Sequence, residues 1–452
     1  MRILLSFMCV LALGLMGCSE GGGSGGSAGT GGSGGDGGTG GMTGQEFPCT
    51  EQGIRDAIAL GGGPHTFSCD GPTTVVTEAE ISIDNNVILD GEGNLTVDGN
   101  GDHRVFSIAE GATAELDGLG VSGGRSGNGG GIFNLGALTL TGSTVFGNTA
   151  NSGGGVFNGF GTFPPPSSRA TLTLKNSTVS GNIQEGGCGE GVCGVGGIFN
   201  LEGTLTVTNS TVSGNDAPDI LHWDGFPDDG FVVTATIVSS TVANIANLDG
   251  AMTLTNTLVV DGCTSDRGTM TSAGHNIESP GDTCGFDQTT DQVSVTTEQL
   301  NLGPLQDNGG PTMTHALGAG SVAIDQILEA DCVDADGAPL TTDQRGQPRP
   351  ETGGTMCDVG AFEWSARDVA LASYCAAVLE CFPDDESCDT DFANLLWVGE
   401  GGDFAACTSA KLEVVECVVS LDCDQLGQGS EIVGECTAQV GAWFQACEIP
   451  VK

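Results

Sequence analysis

The chain copies itself. Gly130-Gly131-Ile132-Phe133-Asn134 returns as Gly154-Gly155-Val156-Phe157-Asn158, 24 residues on, and again as Gly196-Gly197-Ile198-Phe199-Asn200. A second element follows each copy: Leu138-Thr139-Leu140, Leu172-Thr173-Leu174 and Leu205-Thr206-Val207. A third follows as Ser143-Thr144-Val145, Ser177-Thr178-Val179, Ser210-Thr211-Val212 and Ser240-Thr241-Val242, with Gly-Asn pairs ending at Asn148, Asn182 and Asn215. Three short alternating segments, each closed by Gly or Asn, make one winding of a solenoid. Period-two alternation turns Ile132, Leu138, Leu140 and Val145 inward and Thr outward. Windings stacked about 4.8 Å apart set equivalent residues above one another. Asn134, Asn158 and Asn200 then form an amide ladder, with Asn247 as the candidate fourth rung, and Phe133, Phe157 and Phe199 form an adjacent aromatic stack.

The predicted fold is all-β: a right-handed parallel β-helix of about 24 residues per coil, followed by a small α-helical, disulfide-rich domain. The 42-residue step from Phe157 to Phe199 keeps the period once two insertions, Phe160–Arg169 and Ile183–Cys193, are set aside. Upstream, Ile81-Ser82-Ile83, Val87-Ile88-Leu89 and Leu95-Thr96-Val97 read as less regular rungs. Before them, Ile54, Ala57 and Ile58 have helical spacing, as expected of a cap over the open first winding.

Several motifs flank this region: Cys49-Thr50-Glu51, Gly53-Ile54-Arg55-Asp56-Ala57-Ile58 and Leu89-Asp90-Gly91. Later come Leu302-Gly303-Pro304-Leu305-Gln306-Asp307-Asn308-Gly309-Gly310-Pro311, Asp343-Gln344-Arg345-Gly346 and Asp358-Val359-Gly360-Ala361-Phe362-Glu363. With the repeats, they resemble the choice-of-anchor Q family of bacterial surface proteins over residues 47–364. The resemblance implies a pectate-lyase-like right-handed β-helix and a cell-surface location, and supplies no reaction.

The ends of the chain suggest how it is held. Residues 1–17 read as a lipoprotein signal peptide: Arg2, then an apolar stretch from Ile3 to Met16 too short to span a bilayer. It runs into Leu15-Met16-Gly17-Cys18, which resembles a lipobox and implies lipidation of Cys18. Residues 18–46 read as a Gly/Ser-rich flexible tether; fifteen of the 27 residues from 19 to 45 are glycine. Ser19, rather than Asp, after Cys18 points to the outer membrane, lipid-anchored and exposed at the surface. The membrane, reached through the lipid, is the first expected partner.

Export predicts disulfides. With Cys9 and Cys18 set aside, sixteen of the 18 cysteines remain. Sequence neighbours suggest Cys49–Cys69, Cys188–Cys193, Cys263–Cys284 and Cys332–Cys357. Residues 365–452 turn helical and cysteine-rich, and they duplicate: Cys375 to Cys381 matches Cys417 to Cys423, and Phe404 to Cys407 matches Phe444 to Cys447. Two four-cysteine helical hairpins are expected, with Cys375–Cys407, Cys381–Cys388, Cys417–Cys447 and Cys423–Cys436 as one of 105 pairings.

Charge limits the partners. Twelve Lys and Arg against 58 Asp and Glu give −46, which leaves no basic footprint for nucleic acid and repels polyuronates at long range. The leading function is non-catalytic adhesion, or contact with an extracellular glycan, matrix or protein ligand; no catalytic residue is assigned. The alternative is a polysaccharide lyase or glycoside hydrolase working in the β-helix groove. Its carboxylates would be Asp228 and Asp229, near His222 and Trp223. Its cations would come from Arg104, Arg125, Arg345 and Arg349, although Arg345 is better placed to pair with Asp343. No metal ligands or cofactors are assigned. A structural Ca²⁺ at Asp98-Gly99-Asn100-Gly101-Asp102 or Asp331 to Gly337 is the one exception weighed.

Overall fold

The computed structural model describes residues 44–160, 169–186, 194–216, 218–225 and 233–365. Cys18, the signal and tether, Asp228 and Asp229, the Cys188–Cys193 pair and the cysteine-rich C-terminal region lie outside the described residues.

Parallel pairing dominates the rest. A 23-stranded sheet winds so that each strand pairs with its equivalent one turn later, the arrangement of a parallel β-helix with three faces. Face A carries Ala137–Thr141, Thr171–Lys175, Thr204–Thr208, Thr234–Val238, Ala251–Thr255 and Thr269–Ser272 in unbroken register. Face B carries Thr144–Phe146, Thr178–Ser180, Thr211–Ser213 and the start of Thr241–Asn247. Face C carries Ile132–Asn134, Val156–Gly159, Ile198–Leu201 and Ile220–Trp223. Val87–Asp98 and Thr113–Ser122 run across faces A and B without a break.

Alternation decides which side chains fill the coil. Leu138, Leu172 and Leu205 stack on face A, and Val145, Val179, Val212 and Val242 on face B; all are buried. The winding length is not uniform. Equivalent residues are 24 apart at Asn134 and Asn158, 34 at Ser143 and Ser177, 30 at Ser210 and Ser240, and 19 at Thr257 and Asn276. Insertions and deletions fall at the corners, so the rungs keep register while the loops change.

Each corner is tied by polar side chains that repeat with the winding. Asn134 Nδ2 donates to Asn158 Oδ1 at 2.7 Å, and Asn158 Nδ2 to Asn200 Oδ1 at 2.6 Å. The fourth rung is His222, not Asn247. His222 sits in register with Asn200, its Nδ1 is 2.7 Å from Asn200 Nδ2, and Asn247 comes one winding later. Burial lowers the His222 imidazole to about 4, so the neutral ring accepts this hydrogen bond through Nδ1. Phe133, Phe157 and Phe199 follow one another along face C with centroids 5.3 and 5.2 Å apart, but the first pair is tilted and the second meets edge to face; only Trp223 lies parallel to its neighbour, Phe199, at 6.3 Å.

Two further ladders run along the other corners. Ser143, Ser177 and Ser210 each give their N–H to the next hydroxyl, at Ser177, Ser210 and Ser240. The Gly-Asn corners form Asn148→Asn182→Asn215, and Asn215 Nδ2 donates to Asp219 Oδ1 at 2.7 Å. Asn244 Nδ2 donates to the other carboxylate oxygen at 2.8 Å, so Asp219 joins two amides where a glycine turn is missing. Burial pushes its carboxyl up to about 6 against these donors.

The first winding is covered by the helix Glu51–Leu60, with the Thr50 side chain as its N-cap and Ile54, Ala57 and Ile58 buried. Cys49–Cys69 closes this end, with Cα atoms 5.0 Å apart; Cys263–Cys284 and Cys332–Cys357 also form.

Replacing Asn158 with Ala orphans two acceptors, the buried Asn200 Oδ1 and the part-buried Thr204 O. At roughly 1–3 kcal/mol each, the urea midpoint should fall by the equivalent of about 2–6 kcal/mol. Asp219 is raised in the fold, so its contribution is complete below about pH 4 and is lost as pH climbs through about 6. In high salt, which screens the net charge, the melting midpoint should drop between pH 4.5 and 7, and Asp219→Asn should flatten that slope.

Candidate functional site

On face B the outward row reads Thr96, Gly120, Thr144, Thr178, Thr211 and Thr241. Its two halves differ in what covers them. Residues 302–363 leave the last winding and fold back along this face as a strap. The strap contains the antiparallel pair Leu302–Gln306 with Thr314–Leu317, and the short pair Ile327–Leu328 with Met356–Cys357.

The strap is pinned by the sequence motifs that flank the repeats. Thr178 Oγ1 donates to Met313 O at 2.6 Å, Thr211 Oγ1 to Gln344 Oε1 at 2.7 Å, and Ala361 N to Thr241 Oγ1 at 3.2 Å. Gln344 Nε2 returns a bond to Thr178 Oγ1. Gly360, at φ +101, passes so close that a Cβ would stand 2.8 Å from Leu258 Cδ1, which accounts for the glycine in Asp358-Val359-Gly360-Ala361-Phe362. His315 donates from Nδ1 to Gly303 O and meets Ser213 Oγ through Nε2; burial lowers its pKa, against the Gly303 hydrogen bond.

The two strap arginines are consumed here. Arg345 Nε pairs with Asp343 Oδ2 at 2.8 Å, its NH2 donates to Glu363 O, and its guanidinium lies 3.6 Å from the Phe362 centroid. Arg349 Nε meets Glu363 Oε2 at 3.2 Å, while its other nitrogens hold Asn209 Oδ1, Asp358 O and Gly360 O. Burial pushes the carboxyls of Asp358 and Glu363 upward, and the Arg349 charge opposes it. Arg345 and Arg349 therefore fasten the strap and face no open cleft. Arg104 binds Glu80 and lies over Phe133, and Arg125 pairs with Glu185 at the surface.

Where the strap stops, a cleft of about 540 Å³ opens. Its floor is the uncovered half of face B, with Thr96, Gly120 and Thr144; its end wall is the strap tip, Asp307 and Gly310 to Met313. Phe146 and Ser180 stand on the rim, and Phe146 is 39% exposed. Hydroxyls, glycine backbone and one open ring offer hydrogen bonds and a stacking surface. The sequence signal for this site was present in Ser-Thr-Val-Phe, where Phe146 replaces the Ser found at 180 and 213. Only the strap's return path gives it meaning.

The acidic stretches weighed for calcium make hydrogen bonds within and beside their turns. Asp98 Oδ1 accepts from Asn100 N and its Oδ2 from Ser122 Oγ; Asp334 Oδ1 accepts from Asp336 N and Ala338 N. Among the described residues no three acids, histidines or cysteines converge to hold a metal ion.

Arg349→Leu strands the buried Glu363 carboxylate, a change typically worth about 3–5 kcal/mol. Limited proteolysis should then cut within 302–363 at protease levels that leave the wild type whole, while the coil fragment persists. Identical digestion of the two proteins would refute the pinning role. No protein-family model, curated protein or solved structure matches the chain.

Proposed function

We propose that this is a non-catalytic, lipid-anchored cell-surface protein that holds a neutral extracellular glycan in the cleft beside Phe146. The observation that carries the reading is that cleft: a threonine-and-glycine floor, serine and phenylalanine on the rim, and a pinned strap as its end wall. A half-exposed ring beside a row of hydroxyls suits stacking on the apolar face of a sugar, with hydrogen bonds to its edge. The net charge of −46 favours uncharged sugars over uronates.

The lipobox-like Leu15-Met16-Gly17-Cys18 and the glycine-rich segment after it support an outer-membrane anchor on a flexible tether. The motifs shared with choice-of-anchor Q proteins support a surface location. They also support a right-handed, pectate-lyase-like coil, the hand that nearly all parallel crossovers take. The helical spacing and cysteines after residue 365 support a small disulfide-stapled domain that follows the coil.

The full-length protein in detergent micelles should bind members of a neutral-glycan array, and Phe146→Ala should lose that binding with its melting midpoint unchanged. Cys18→Ser should end incorporation of labelled palmitate and move the protein out of the membrane fraction. Release of shortened products from a polysaccharide panel would replace binding with catalysis.

A further inference from the structure

Face A carries a second surface, independent of the cleft. Its central outward column is threonine in six successive windings: Thr139, Thr173, Thr206, Thr236, Thr253 and Thr271. The parallel column two residues earlier runs from position 137 to 269 and is threonine in four windings and alanine in two. Ten of these twelve positions are thus threonine, and the register between windings has no bulge.

The fold does not require this uniformity. Two windings earlier the same central column holds Ile88 and then Glu115, and the pairing from Val87 to Asp90 with Ala114 to Asp117 keeps its register there. From Ala137 onward no charge stands in either column, in a chain with 58 acidic residues. No aromatic ring stands there either. Nor do these hydroxyls bond to side chains or backbone among the described residues. On face B, Thr178 and Thr211 are buried and bonded to the strap, whereas the central face A threonines are half-buried and Thr271 is exposed.

Strand geometry fixes the mesh of the array. Neighbouring windings lie roughly 4.8 Å apart, and residues two apart on a strand roughly 6.7 Å apart. Each hydroxyl both donates and accepts and holds an ordered water, while the methyl beside it restricts where that water can sit. Waters held on such a rectangular net are spaced close to the oxygen rows on a prism face of ordinary ice, in both directions at once. An uncharged lattice of water oxygens suits these two uncharged columns; the one charge on the later strands, Lys175, stands at a strand end in the next column. A crystalline polysaccharide would be better served by a platform of rings, and face A has none. We propose that face A is an ice-binding surface, so that the anchored protein attaches its cell to ice or restrains ice growth at the envelope.

The test uses the full-length protein in non-ionic detergent micelles, with empty micelles and serum albumin as blanks. A polycrystalline ice probe is grown slowly through the solution. The protein should be retained in the ice and should slow recrystallisation of the grains, while albumin is excluded. Thr206→Lys, in the middle of the array, should fall to the albumin level with unchanged circular dichroism and melting midpoint. Thr206→Val, which keeps the shape and removes the hydroxyl, gives the same reading should the lysine variant not fold. Glu115→Thr should lengthen the column by one winding and raise retention. Exclusion of the wild type from ice, or full retention of both Thr206 variants, overturns the proposal. So does capture by microcrystalline cellulose or chitin together with exclusion from ice.

Discussion

In a coil of this kind every side chain has its own equivalent as a neighbour, about 4.8 Å above and below. That constraint selects the residues. Leucine on leucine and valine on valine fill the inside without a register penalty, and asparagine on asparagine closes a donor-to-acceptor chain with no polar atom wasted. Like charges on neighbouring windings repel. Where Asp90 and Asp117 do stack, with Glu115 beside them, burial and these neighbours raise the Asp117 pKa. Acids are accordingly rare on the regular rungs and common at corners and in the strap, where they accept backbone N–H groups from turns.

The repeats made the rungs legible before any coordinates, because strand periodicity and a stacked ladder both depend on local spacing. Asn134, Asn158 and Asn200 needed nothing else. His222 as the next rung was hidden because the winding from Phe199 has lost its Gly-Gly-Ile-Phe-Asn signature, so identity of residue type misled where register did not. The Asp219 junction was hidden for the same reason: an acid takes the place of the amide that the pattern calls for. The strap was legible only as motifs. Asp343-Gln344-Arg345-Gly346 announces a buried arginine, but nothing in its spacing says that Gln344 reaches Thr178 and Thr211, which lie well over a hundred residues away. Contacts of that range carry no periodic trace.

The strap also explains why two similar threonine rows have different fates. On face B its hydroxyl-bearing residues are converted into anchorage points, and the cleft exists because coverage ends at Thr178. On face A no segment of the described chain lies over the central column, and the same residue type stays available to the outside. The chemistry of a threonine here depends on which face it occupies, more than on its neighbours in sequence.

Register is insulated from loop length at the corners. Gly159 and Ala170, on either side of one insertion, both stay within reach of their partners on the next winding, Leu201 and Thr204. The coil therefore behaves as a chassis: its corners can be lengthened, shortened or exchanged for foreign segments, and natural variation at those points would change the loops on offer without renegotiating how the molecule folds.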